Sequence, residues 1–363
     1  MDFSNTIRKQ KYISFYKNVN SKLKKTSFTN NISEFFKNKK LLASGKEGII
    51  YLSNTTYIND TSINNISINN IDIEDKYHEG ENEVIIKVVN LEPLVETKGI
   101  HPKILNKNPL FIYNLFYSLT RNVTMPSLIE NICFILTNQL VFQNICPHFV
   151  LNYYWEYSNN KLIYYNEYAN YSTLFHWGKT NHTYQEWMNI LCQIIISIIT
   201  MQKYFNIIHG DLHSLNILIY KVKKGGCWKY IINNNEYIIP NLGYIILLSD
   251  FGFASIPGKV YVKWYFDDTI KILTRKQQFF FDFKYLSDDL IKQNQPVQNL
   301  LQESLQKINN KNYNLISLLN DYYTRIDMNT NQKDSITFID IYNLNKPLNI
   351  NLLPLNFKHL STF

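Results

Sequence analysis

Ile208-His209-Gly210-Asp211-Leu212-His213-Ser214-Leu215-Asn216-Ile217-Leu218 decides how this chain is read, together with its counterpart Leu247-Leu248-Ser249-Asp250-Phe251-Gly252. In each, oxygen-bearing side chains stand on a loop joined to a short apolar run. A strand from Ile217 to Tyr220 follows the first loop, and a strand from Tyr244 to Ser249 leads into the second. Alone, neither is specific: a loop aspartate is commonly a cap, and Asp-Phe-Gly recurs by chance. Two such loops, each beside a strand, carry more weight.

Upstream, Thr183 to Phe205 reads as a long buried helix. Its most apolar part, Ile190 to Ile199, carries Gln193 and is too short to cross a bilayer, so no membrane span is expected. Nearer the N-terminus, Leu41 to Leu52 reads as strand, tight turn, strand. Val84-Ile85-Ile86-Lys87-Val88-Val89 is a β-branched run suited to a central strand. Pro126 to about Gln143 reads as a helix, with Ser127 a candidate N-cap and Glu130 three residues on in the capping-box position. Phe149 to Tyr157 and Lys161 to Tyr168 are two strand-like runs joined by Ser158-Asn159-Asn160. From about Lys271 the pattern is mainly helical with an Asn-rich tail. Strands thus dominate the first part and helices the second, which predicts an α+β protein of two lobes. The expected divisions are a basic extension over 1–36, an N-lobe over 37–168 with an Asn-rich insertion at 54–82, and a C-lobe over 169–363 with an insertion at 221–242.

Composition narrows the function. Among 363 residues, 45% are hydrophobic, enough to offset chain entropy over most of the length and so exclude wholesale disorder. Four cysteines, Cys133, Cys146, Cys192 and Cys227, form no C-x-x-C pair, which argues against a disulfide framework and a zinc knuckle. The start has no apolar segment of signal-peptide type, so a cytoplasmic protein with reduced thiols is expected. The net charge of +8 comes with neither the Gly-aromatic pattern of an RNA-recognition module nor finger spacing, and reads as a solvated basic face rather than a nucleic-acid site.

The paired loops resemble the protein-kinase-like superfamily, and most closely the divergent serine/threonine kinases of large DNA viruses of poxvirus and giant-virus type. The resemblance covers about residues 40 to 290. It implies a small antiparallel N-lobe, a mainly helical C-lobe, and use of ATP and Mg²⁺ on a protein substrate; were the chain viral, host cytoplasm or virion would be its place. Asp211 corresponds to the residue that orients the substrate hydroxyl. Asn216, five positions on, and Asp250 correspond to the metal-holding pair. Ala43-Ser44-Gly45-Lys46-Glu47-Gly48-Ile49-Ile50 resembles the glycine-rich loop over the phosphates, with Ala43 in place of its first glycine. Lys87 falls where V-A-I-K places the phosphate lysine, and Ile85 replaces the small Ala over the adenine. Glu130 is the expected partner of Lys87, with Glu92 and Glu96 as alternatives. It precedes Cys146-Pro147-His148-Phe149-Val150, which resembles the HPN-like turn. Asn166-Glu167-Tyr168-Ala169 resembles the hinge, with Asn166 as gatekeeper and backbone groups of Glu167 and Ala169 facing the adenine. Asp282 stands either as the buried aspartate that braces the catalytic loop or as an ordinary helix-start carboxylate.

Several residues depart from the pattern. Gly210 stands where most protein kinases have Arg, which argues against switching by activation-loop phosphorylation. His213 replaces the usual Lys and, if neutral, would stabilise a transferring phosphate less. No A-P-E motif follows Asp-Phe-Gly. The string His-Gly-Asp-Leu-His also resembles small-molecule phosphotransferases such as aminoglycoside or sugar kinases. A non-catalytic kinase-fold scaffold is a third reading, opposed by the presence of Lys87, Asp211, Asn216 and Asp250 together.

Overall fold

The β-branched run around Lys87 forms the middle strand of a five-stranded antiparallel sheet. The computed structural model describes residues 4–23, 36–45, 48–55, 83–90, 126–158, 161–262, 265–293, 295–328 and 338–352. Within it the chain divides into two units, one of Met1–Asn5, Lys107–Val150 and Ala169–Phe363, the other of Thr6–Asn106 and Leu151–Tyr168.

The smaller unit holds the sheet. Its strands are β1 (Phe36–Gly45), β2 (Gly48–Thr55), β3 (Glu83–Asn90), β4 (Asn152–Ser158) and β5 (Lys161–Glu167), in the order β1-β2-β3-β5-β4. The Asn-rich stretch contributes its first two residues to the end of β2, and residues 56–82 lie outside the described residues. Helix α1 (Ser4–Leu23) packs on the β4–β5 edge through Tyr12 and Phe15, whose rings lie 6.0 and 5.4 Å from that of Tyr153. The basic extension therefore contains a helix with a buried face.

The larger unit is mainly helical. Helix α2 (Pro126–Phe142) begins at proline, which tolerates the first helical position because its missing N–H would be unpaired there. Ser127 accordingly lies inside the first turn and is not the cap that its spacing from Glu130 suggests. After the two-residue β6 (Ser172–Thr173) and the short α3 (Leu174–Trp177) comes α4 (Tyr184–Phe205), opened by a complete capping box between Thr183 and Glu186. Its isoleucines are poor helix formers by β-branching, and burial compensates: Ile190, Ile194, Ile195, Ile196 and Ile198 are all at 1% exposure or less. The hydroxyls of Ser197 and Thr200 donate to carbonyls one turn back, which satisfies them in an apolar setting. The amide of Gln193 donates to the Tyr244 carbonyl and accepts from the Ile246 N–H, tying α4 to the strand beside it. By length and composition α4 could cross a membrane, but 94% of its apolar window is buried in protein.

Two small sheets flank α4. One has the order β10-β7-β6, with β7 (Ile217–Lys221) antiparallel to β10 (Tyr244–Leu248). The other is β11-β8-β9, built from β8 (Cys227–Ile232), β9 (Asn235–Pro240) and β11 (Phe338–Asn343). The stretch 221–242 is thus a folded hairpin, and β11 from the Asn-rich tail pairs with it in parallel. Helices α5 (Arg275–Lys292), α6 (Gln298–Ile308) and α7 (Leu315–Tyr323) complete the unit.

Candidate active site

In the larger unit the loop from His209 to Asn216 is a product of its anchors. Helix α4 ends on Asn206 in the left-handed region at φ 54°, which turns the chain out of the helix. Ile208 then exchanges backbone hydrogen bonds with Ser255 at 2.9 and 2.8 Å. The N–H groups of His209 and Gly210 both donate to the Asp282 carboxylate, at 2.9 Å each. Asp282 sits mid-helix in α5 and is fully buried, so it braces the loop and is not a helix-start carboxylate. Burial pushes its carboxyl above the usual range, opposed by the His209 charge and the two donated N–H bonds.

His209 also links the loop to Asp-Phe-Gly. Its Nε2 lies 2.9 Å from the Ser249 carbonyl, and its ring packs 4.7 Å from that of Phe251. Phe251 in turn meets Phe134 of α2 edge-on at 5.9 Å. Three rings from helix, loop and motif thus make one packed column.

The candidate groups stand around this scaffold. Asn216 ends a 3₁₀ turn (Ser214–Asn216) just before β7, and its carbonyl accepts from the Ser249 N–H at 3.0 Å. Because β7 and β10 pair antiparallel, with Ile217 opposite Leu248, Asn216 and Asp250 emerge from the same end of that ladder. Asp250 adopts φ 60°, a left-handed conformation that Asp tolerates better than most side chains. The Asn216 side chain donates from Nδ2 to the Asp211 carbonyl at 2.9 Å, which leaves Oδ1 for a cation. Among the described residues no cluster of three or more His, Cys, Asp or Glu exists that could hold a metal by itself. One amide and one carboxylate oxygen fit Mg²⁺, which takes few protein ligands and completes its shell with phosphate and water.

Asp211 is about a quarter exposed, with His213 Nε2 3.6 Å from its Oδ2. Burial works to raise its carboxyl, but the hydrogen bond and charge of His213, with His209 and Tyr285, outweigh it and hold the group below its ordinary value. The hydrogen bond with Asp211 draws His213 upward against its own burial, helped by the charges of Asp211, Asp289 and Asp250. Protonating Nδ1 would forfeit the bond it accepts from the Leu215 N–H at 3.2 Å, which restrains that rise. Asp289 accepts from the Ser214 N–H and fixes the far side of the loop.

The smaller unit carries the other group of expected residues. Ala43 pairs with Ile50, Ser44 with Ile49 and Gly45 with Gly48 across the β1–β2 ladder, while Lys46 and Glu47 lie outside the described residues. Gly48 has φ 154°, and a Cβ there would stand 2.3 Å from the Val88 carbonyl oxygen. The close approach of β3 is enough to require this glycine. Ile50 lies opposite Lys87, and Ile85 lies opposite Asn166. Lys87 is 8% exposed, a costly position for an ammonium without anionic company. Asn166 is buried and accepts from Asn152 Nδ2 at 2.7 Å, so its polarity is satisfied inside the sheet.

Glu167 brings a contact that sequence reasoning missed. Its carboxylate is gripped by Arg8 of α1, Nε to Oε1 at 2.6 Å and an Nη to Oε2 at 2.8 Å, with both residues almost fully buried. Oε2 also accepts from the Leu151 N–H, and the Glu167 N–H donates to the Leu151 carbonyl. The available signal was the spacing of Arg8, Tyr12 and Phe15, which share one helical face. Glu130, by contrast, belongs to the larger unit, where it is 2% exposed on α2; Ala169 opens the segment of that unit that follows β5.

No protein-family model matches the chain. It is 38% identical over 64 residues to a protein of Frog virus 3 that carries a provisional serine/threonine-protein kinase name, covering 17% of this chain and 8% of that one. It is 36% identical over 102 residues to a Dictyostelium discoideum protein with a similar name, covering 25% and 8%. A third, from Acanthamoeba polyphaga mimivirus, is 28% identical over 141 residues, or 35% of this chain and 29% of that one. The chain resembles kinase-like proteins of large DNA viruses. The matched segments span less than a tenth of the first two relatives, so the kinase likeness is local.

Proposed function

We propose that this kinase-like chain is an ATP-dependent serine/threonine protein kinase. The observation that carries the reading is the placement of Asn216 and Asp250 at one end of the β7–β10 ladder, with the Asn216 amide hydrogen-bonded to the peptide of Asp211. Phosphoryl transfer asks little covalent work of a protein; it needs an oriented hydroxyl and compensated phosphate charge. Asp211, held ionised, would orient the acceptor hydroxyl and take its proton as the oxygen attacks the γ-phosphorus. The bond from that phosphorus to the β–γ bridging oxygen breaks, and ADP leaves. Asn216 Oδ1 and the Asp250 carboxylate would hold Mg²⁺, which when bound offsets charge on the β- and γ-phosphates.

Lys87 would position the α- and β-phosphates, with Glu130 as its proposed partner. Gly45 and Gly48 of the hairpin, with Ala43, Ser44, Lys46, Glu47 and Ile50, would cover the phosphates. Ile85 and the backbone of Glu167 and Ala169 would bound the adenine.

The test is Mg²⁺-dependent transfer of labelled γ-phosphate from ATP by wild type and Asp211→Ala. Casein, a basic protein and a panel of small alcohols serve as acceptors. Label on protein Ser/Thr that falls by about 10²–10⁴ in the variant is expected. Transfer to small alcohols alone would make the chain a small-molecule phosphotransferase, and equal transfer by both proteins would remove Asp211 from the site.

A further inference from the structure

The segment after Asp250-Phe251-Gly252 is fastened to the catalytic loop at three points. The Ile208–Ser255 backbone pair is the first. Second, Gly210 has φ 82°, and a Cβ there would meet the Phe253 carbonyl oxygen at 2.3 Å and the Tyr265 ring at 3.2 Å. The space that any side chain at 210 would enter is thus filled by the segment itself. Third, the Tyr265 hydroxyl donates to the Gly210 carbonyl, and its ring packs 5.0 Å from that of Phe253. Around this point Ile208, Phe266 and Ile270 form a small core, with Tyr261, Tyr265 and Phe281 packed against it.

The carbonyl that Tyr265 holds belongs to the peptide bond between Gly210 and Asp211. The N–H on the other side of Gly210 is held by Asp282. Both faces of the link into Asp211 are therefore fixed, one by α5 and one by the post-Gly252 segment. We propose that Tyr265 is a positioning residue for Asp211, which clamps this segment to the catalytic loop and makes the arrangement independent of phosphorylation. The proposal rests on the kinase reading and specifies the regulation of that site. Gly210 has no side chain with which to bind a phosphate carried by that segment, and the Tyr265 phenol joins segment and loop instead. Burial, with the charges of Asp211, Tyr285 and Asp282 nearby, pushes the Tyr265 phenol above its ordinary value, so it remains a donor at neutral pH.

Tyr265→Phe keeps the ring and removes the bond. In the full chain, with Mg²⁺, ATP and casein, kcat should fall about fivefold, the rate equivalent of one ordinary hydrogen bond. KM for ATP should stay within about twofold, and the melting midpoint should fall by no more than about 2–4 °C. Amide hydrogen exchange at Ile208 and Ser255 should quicken, and phosphatase treatment should leave the wild-type rate unchanged. Gly210→Ala should raise exchange at the same amides, because its Cβ cannot share space with the Phe253 carbonyl. An unchanged kcat in Tyr265→Phe overturns the proposal, as does a wild-type rate lost to phosphatase. A uniform loss in kcat, KM and melting midpoint makes Tyr265 structural only and also overturns it. If wild type transfers no phosphate, the kinase reading falls separately. Exchange then decides alone: quicker exchange in Tyr265→Phe upholds the clamp, and unaltered exchange overturns it.

Discussion

Asp211 and His213 shift one another, and their coupling has a defined pH signature. His213 is drawn above the 6.5 of an ordinary imidazole, and Asp211 is held below its 3.8. A raised histidine contributes stability that is full below its unfolded value and lost as pH climbs through the folded one. A depressed aspartate contributes above its unfolded value and loses that as pH falls through the folded one. The pair therefore helps most between these limits, from about pH 5 to 6.5. Comparing melting of wild type with His213→Asn across pH 5 to 9 should show a deficit in the variant that shrinks as pH rises. Its size should stay under about 1 kcal/mol, because both groups are partly exposed. A deficit constant with pH would mean that the pair is uncoupled. At Arg8 the stakes are higher, since its removal leaves Glu167 buried and uncompensated. Arg8→Met should cost about 3–5 kcal/mol in urea unfolding, and Arg8→Met with Glu167→Gln should recover part of it. If the double variant is as unstable as the sum of the singles, the ion pair is not the source of the loss.

Among elements, the brace from α5 is the clearest load on one side chain. Asp282→Ala would leave the His209 and Gly210 N–H groups buried and unpaired, at about 1–3 kcal/mol for each. Urea unfolding should therefore lose roughly 2–6 kcal/mol, and a loss under 0.5 kcal/mol would show that water replaces the carboxylate. How legible the elements were depended on how local their signals are. β3, β7 and β10 were visible as β-branched or apolar runs, and α4 as a long apolar stretch, because each pattern is carried by residues contiguous in the chain. The β8–β9 hairpin lies within the stretch expected as an insertion, and its own code is present in the sequence. Trp228, Tyr230 and Ile232 alternate inward, and Asn233-Asn234 makes the turn with φ 49° and 65°. The surrounding Asn and Lys masked that alternation. The candidates Asp211, Asn216 and Asp250 stand out by the resemblance of their two loops to kinase motifs, and the apolar runs place those loops beside β7 and β10. Tyr265 does not stand out, and Arg8 shows only the helical face it shares with Tyr12 and Phe15, since each acts on a partner set by tertiary packing.

Taken whole, the larger unit draws on chain from its far end to secure the turn that follows α2. His148 in that turn lies 2.8 Å from the Tyr230 hydroxyl of β8, and Tyr230 stacks on Tyr342 of β11 at 5.3 Å. The Asn343 N–H donates to the Asn144 carbonyl at 3.4 Å, and the Tyr204 hydroxyl of α4 donates to the Leu344 carbonyl at 3.0 Å. The Asn349 N–H reaches the Gln143 side chain. Tyr342, Leu344 and Leu348 are nearly or fully buried, and three such side chains contribute roughly 5–9 kcal/mol by burial. That is comparable with the net stability of a whole domain, about 5–15 kcal/mol. Removing residues 338–363 should therefore abolish cooperative unfolding of the larger unit. Tyr342→Ala, a milder cut at the same contact, should lower stability by about 3–5 kcal/mol. Urea titration followed by tryptophan fluorescence reads both, because Trp228 on β8 is buried in the same sheet. A truncated chain that unfolds at the wild-type midpoint would reduce β11 to an ornament of the fold. A lowered midpoint in both variants would make this strand part of what holds α2, and with it Phe134 against Phe251.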